Sequence, residues 1–137
     1  MEELGSTVEA VRECDEASIL LVDDEEDILP EYQDFLELHG LASLTCADPE
    51  RAVEIALAQP SIKVVVTDLR MAKLDGASLI QLLRATLPAA RHIEFLILTG
   101  DATSRTRGGV ENVPVFMKPV DTDALVGAIR TALAANP

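Results

Sequence analysis

Four short, nearly unbroken apolar runs govern what this chain can become: Ile19-Leu20-Leu21-Val22, Val64-Val65-Val66, Phe95-Leu96-Ile97-Leu98 and Val113-Pro114-Val115-Phe116-Met117. A strand with one wet face alternates apolar and polar residues. Runs without alternation are buried on both faces, the habit of parallel strands covered by helices. A weaker, alternating segment from Leu41 to Cys46 reads as an edge strand. Parallel strands need long crossovers, and the intervening sequence supplies them with helical periodicity. Ile28, Tyr32, Phe35 and Leu36 share a helical face that ends at Gly40, a residue suited to the left-handed position after a helix. Asp48-Pro49-Glu50 predicts an N-cap and a first helical residue ahead of Val53, Ala56 and Leu57. Leu79, Ile80, Leu83 and Leu87 form a third stripe stopped by Pro88, and Leu125, Ala128, Ile129, Ala132 and Leu133 form the last, capped by Asp121. Between Asp101 and Asn112 no apolar stripe exists and Gly108-Gly109 lowers helix propensity, so a helix there is expected to be short or frayed. The pattern is β-α five times over. Short, right-handed crossovers make its natural solution an α/β fold: a doubly wound, five-stranded parallel sheet with helices on both faces.

At 137 residues, 48% of them hydrophobic, the chain has material for one domain and one core. Residues 1–17 carry six acids against Arg12 alone and read as an extension or linker remnant, with the domain proper at 18–137. The net charge of −13 disfavours nucleic acid and anionic membrane surfaces as partners. Four aromatics and no tryptophan are too few for a base-stacking platform. No apolar run approaches the ~18 residues that span a bilayer, and Met1-Glu2-Glu3-Leu4 lacks the basic flank of a signal peptide. A cytoplasmic protein is expected. Cys14 and Cys46 have no metal-type spacing and are expected to be reduced thiols.

In open α/β sheets, ligands bind outside the carboxyl ends of the strands where the strand order reverses. There this sequence places Asp23 and Asp24 after the first strand, Asp68 at the end of the third, Thr99 at the end of the fourth and Lys118 after the fifth. Taken singly, each has a plain explanation: an acid pair is usually a solvated loop, an acid after a strand a helix cap, a lysine a surface lysine. Convergence of three carboxylates, a hydroxyl and an ammonium on one rim is different. Three close carboxylates need a cation to stay ionised, and hard oxygen ligands suit Mg²⁺. A carboxylate beside Mg²⁺ can be a nucleophile toward a phosphoryl group, with the metal and an ammonium neutralising the transferring oxygens.

These elements, Leu21-Val22-Asp23-Asp24-Glu25, Thr67-Asp68-Leu69-Arg70-Met71 with Leu74-Asp75-Gly76, Leu98-Thr99-Gly100 and Met117-Lys118-Pro119, resemble the receiver domains of two-component response regulators over about residues 18–135. The resemblance implies a flavodoxin-like strand order 2-1-3-4-5. It also implies Asp68 as phosphoacceptor, Asp24, Asp68 and the Arg70 carbonyl as direct Mg²⁺ ligands, and Asp23 acting mostly through bound water. Thr99 would hydrogen-bond one phosphoryl oxygen and Lys118 pair with another, Lys118-Pro119 would be cis, and Gly100 would leave the site open to a donor. The implied donor is a sensor histidine kinase or histidine phosphotransfer protein. Output would pass through contacts with a partner protein still to be identified, or through the rest of a longer chain.

The sequence departs from the family in three places. Ala72 stands where proline is usual. Val115 stands where many members carry Tyr or Phe, and Phe116, one place later, is expected to face the other side of the sheet. The segment between Thr99 and Lys118 is short. Arg70 and Asp101, each two residues beyond a site residue, are candidates for an ion pair across the site entrance. Two other functions fit less well. One is a receiver-like interaction module that is not phosphorylated. The other is a haloacid-dehalogenase-type phosphatase, which needs Asp-x-Asp where this chain has Asp23-Asp24-Glu25 and a cap domain for which there is no room. His39 and His92 lie in no motif.

Overall fold

The computed structural model describes residues 17–100 and 112–136. The elements are β1 (Ile19–Val22), α1 (Leu29–Leu38), β2 (Ser43–Cys46), α2 (Pro49–Ala58), β3 (Val64–Asp68), α3 (Gly76–Thr86), β4 (Glu94–Thr99), β5 (Val115–Met117) and α4 (Thr122–Ala135). A single 3₁₀ turn, Glu26–Ile28, leads into α1. All strand pairings are parallel, in the order β2-β1-β3-β4-β5. The chain therefore leaves β1 toward one edge and returns through β3 toward the other. The order reverses between β1 and β3, whose carboxyl ends frame the crevice.

Strand alternation explains why the apolar runs are unbroken. Leu20, Val22, Val65, Phe95 and Ile97 point to one face and pack with Ala52 and Ala56 of α2 and Leu79, Ile80 and Leu83 of α3. Ile19, Leu21, Val64, Val66, Leu96 and Leu98 point to the other and pack with Leu29, Tyr32 and Leu36 of α1 and Leu125, Val126 and Ile129 of α4. Neighbours in sequence thus feed opposite cores, and burying each such Leu, Ile or Val contributes roughly 1.5–3 kcal/mol.

The helix ends follow the sequence signals. Asp48 Oδ1 accepts the Glu50 N–H at 3.0 Å, and Asp121 Oδ1 accepts those of Asp123 and Ala124 at 3.0 and 3.2 Å. After α1, Gly40 takes φ +75°, and the Gly40 and Leu41 amides return to the carbonyls of Glu37 and Leu36. That last bond shortens β2 from the expected start at Leu41 to Ser43. The run Val113–Met117 requires a larger correction. Only Val115–Met117 is a strand, and it forms an edge rather than a strand buried on both faces, with Val115 42% and Met117 45% exposed. Proline 114 has no N–H to donate to a ladder, although its carbonyl accepts from Ile97 at 2.9 Å. Phe116 packs toward α1 and α4, opposite to Val115, as alternation requires. Cys46 is buried and a free thiol. The N-terminal extension with Cys14, the short helix expected around Gly108-Gly109, and Asp101 with its ion pair all lie outside the described residues. No helix among the described residues is long and apolar enough to cross a membrane.

Candidate functional site

Asp23 directly follows β1, and its N–H extends the ladder to the Cys46 carbonyl at 3.2 Å. Its side chain is buried, and Oδ1 accepts the Glu25 N–H at 2.9 Å. Asp24, next along, is exposed. Asp68 is the last residue of β3, and its Oδ1 accepts the Leu69 N–H at 3.0 Å. One carboxylate oxygen from each of Asp23, Asp24 and Asp68 lies within 4.8 Å of the others, a grouping that could hold a metal ion. Thr99 ends β4, fully buried, and its carbonyl accepts the Lys118 N–H at 2.8 Å. That bond ties the two residues across adjacent strands. The Lys118-Pro119 peptide is cis. Lys118 Nζ lies 3.2 Å from both Asp23 Oδ2 and Asp68 Oδ1.

The electrostatics are those of two carboxylates sharing one ammonium. Burial pushes the Asp68 carboxyl above its ordinary value, Lys118 pulls it back, and the Asp23 charge adds to the upward push. For Lys118, burial alone would lower the ammonium, but Asp68 and Asp23 outweigh it and hold it above its ordinary value. Three carboxylates against one ammonium leave an excess of negative charge, and an all-oxygen donor set of this kind fits a hard divalent cation such as Mg²⁺.

The structure thus gathers Asp23, Asp24, Asp68 and Lys118 into one cluster, with Thr99 bonded through its backbone to Lys118. Arg70 lies in the exposed loop between β3 and α3. Four further features escaped the sequence reading. Tyr32 of α1 is buried, and burial pushes its phenol upward while the charges of Lys118, Asp23 and Asp68 all reach it. The Ala72 N–H donates to Asp24 Oδ2 at 2.9 Å. Gly76 sits so close to β3 that a Cβ there would lie 2.5 Å from the Asp68 carbonyl oxygen. Asp75, the N-cap of α3, accepts the Ser78 N–H at 2.8 Å, and an acid three residues ahead of Ser78 and four ahead of the Leu79 stripe was the signal for it.

A doubly wound sheet of this order, with acids, a buried threonine and a lysine at its carboxyl edge, defines a flavodoxin-like α/β fold. Residues 19–130 match the response regulator receiver domain family, and the chain belongs to that family, within two-component systems. Among curated proteins it is 31% identical over 86% of its length to the C4-dicarboxylate transport transcriptional regulatory protein DctD of Pseudomonas aeruginosa, covering 25% of that protein. It is 32% identical over 85% of its length to the transcriptional regulatory protein GlrR of Escherichia coli, covering 26% of it. The chain therefore spans about a quarter of the length of these relatives. A response regulator receiver domain protein from Clostridium thermocellum superposes with a TM-score of 0.72 at 30% identity, over 87% of this chain and 95% of that one. The signal receiver domain of an HD domain-containing protein from Pseudomonas fluorescens gives 0.74 at 25% identity, with the same coverage.

Proposed function

We propose that Asp68 is the phosphoacceptor of a cytoplasmic phosphorelay step, receiving a phosphoryl group from a phosphohistidine on a sensor histidine kinase or histidine phosphotransfer protein. The observation that carries this reading is the buried Asp68 carboxylate, held by Lys118 and grouped with Asp23 and Asp24. An Asp68 oxygen attacks phosphorus, the P–N bond to the donor imidazole breaks, and the imidazole nitrogen keeps the electron pair and then takes a proton from solvent. Water later attacks the aspartyl phosphate and releases inorganic phosphate. The domain catalyses both steps on itself rather than turning over a separate substrate. Asp24, Asp68 and the Arg70 carbonyl would hold Mg²⁺ directly and Asp23 mostly through bound water, and the bound ion would neutralise charge on the phosphoryl oxygens. Lys118 exchanges its contact with Asp68 Oδ1 for a phosphoryl oxygen, and the Thr99 hydroxyl donates to another. The added dianionic charge biases a two-state element, and output passes through protein contacts. With Val115 in place of an aromatic ring, that element cannot be ring rotation at this position.

Incubation with acetyl phosphate and MgCl₂, followed by intact mass measurement, tests the reading. One phosphoryl group is gained by the wild type, and none by Asp68→Asn or in EDTA. No gain in the wild type would overturn the proposal, and steady turnover of a phosphate ester would point to a phosphatase.

A further inference from the structure

The loop between β3 and α3 makes two contacts that the transfer step does not use. The Ala72 N–H reaches Asp24 Oδ2 at 2.9 Å, joining residues 48 apart in sequence. Beside it, Lys73 Nζ lies 3.3 Å from Asp48 Oδ2, on the residue that caps α2. Between these contacts is a cavity of about 140 Å³ lined by Asp24, Ala47, Asp48, Pro49, Ala72 and Lys73. Met71 and Leu74, on either side of Ala72 and Lys73, pack against the core and anchor the loop. The two polar contacts fix the exposed stretch between them over Asp24.

Asp24 is the exposed member of the three-carboxylate group, whereas Asp23 and Asp68 are buried and fixed by the sheet. An exposed carboxylate is free to change rotamer, and that freedom is lost when it takes a ligand. We infer that the Ala72 backbone N–H is a positioning group for Mg²⁺: it holds Asp24 by one oxygen so that the carboxylate is oriented before the cation arrives, and the Lys73–Asp48 pair steadies Ala72 in turn. Proline at position 72 has no N–H and cannot do this. The inference rests on the Mg²⁺ reading above. Hydrogen-bond partners behind a ligating carboxylate are typically worth about 10–100-fold in metal affinity, and an exposed partner belongs at the low end of that range.

Titration of MgCl₂ into the metal-stripped protein, followed by calorimetry, tests it with three variants. Ala72→Gly keeps the N–H and should bind Mg²⁺ within about threefold of wild type, whereas Ala72→Pro removes it without changing charge and should bind about tenfold more weakly. Lys73→Ala should fall between them. Melting in EDTA reports whether the proline variant is folded. If it is not, hydrogen exchange of the residue 72 amide in the metal-free protein decides: protection in the wild type that is lost in Asp24→Ala supports the inference, and an unprotected wild-type amide overturns it. Equal Mg²⁺ affinity in wild type and a folded Ala72→Pro overturns the positioning role alone. A wild type that binds no Mg²⁺ overturns the metal reading of the site, and this inference with it.

Discussion

Without a cation, the site should cost the protein stability, and Asp68→Asn should recover it. Asp68 Oδ1 is 3.2 Å from Lys118 Nζ, an attraction of about 5 kcal/mol at an effective dielectric constant of about 20. At the 4.8 Å limit of the cluster, repulsion from Asp23 is about 3.5 kcal/mol, and that from exposed Asp24 is screened to about 1–2 kcal/mol. Attraction and repulsion nearly cancel. What remains is the desolvation of a carboxylate only 10% exposed, which the neutral amide avoids. The metal-free Asn variant should therefore be more stable by about 1–3 kcal/mol, melting about 4–10 °C higher. The sign with pH follows from the raised Asp68 pKa. Below the ordinary value of 3.8, Asp68 is protonated in both folded and unfolded states, and the two proteins should differ least. Above it the unfolded chain releases its proton first, so the wild type loses stability relative to the variant until the folded carboxyl also ionises, and the gap then stays open. Circular-dichroism melts in EDTA from acid to neutral pH provide the measurement. Adding MgCl₂ should shrink or reverse the gap, because an ion taken up at the proposed site would favour the folded wild type. An Asn variant that melts at or below the wild-type temperature in EDTA at neutral pH would refute the reasoning.

Three other substitutions probe the supports of the site. Lys118→Met leaves Asp23 and Asp68 without their shared ammonium and should cost about 3–5 kcal/mol in urea unfolding, with much of the loss recovered by adding Asp68→Asn; additive effects of the two changes would contradict the shared-ammonium geometry. Gly76→Ala drives a methyl group against the Asp68 carbonyl oxygen and should cost about 1–3 kcal/mol, so a variant as stable as wild type would mean that α3 does not approach β3 as described. Asp75→Ala removes the cap of α3 and should cost about 0.5–2 kcal/mol, while Asp75→Asn, which still offers an oxygen, should cost less.

The sheet was legible because its residues are extreme. Val64-Val65-Val66 has few alternatives to a buried strand, and Asp48-Pro49 and Asp121 announce helix starts through chemistry that acts locally. The site was legible for a related reason, since topology sends every strand end to the same rim and the polar residues stand directly after the apolar runs. Less accessible was whatever depends on what packs alongside. The run Val113–Met117 is apolar enough for a central strand, yet it lies at the edge, and composition does not record how many neighbours a strand acquires. The approach of Gly76 to Asp68 and the bond from Ala72 to Asp24 involve backbone atoms, which carry no residue-type signal. Tyr32 reads as one more apolar residue on α1, and only the fold brings it within the field of Lys118.

The sheet also acts as a partition. Because neighbouring strand residues serve opposite cores, Leu36 and Ile129 belong to one compartment and Ala52 and Leu83 to another, two separate clusters among the described residues. Each helix pair can accumulate substitutions at its own pace, and its outer surface can be reshaped for a different partner without repacking the other. The acidic rim lies at the seam where both compartments end. One domain can therefore present two independently adjustable surfaces while keeping a single chemical centre between them.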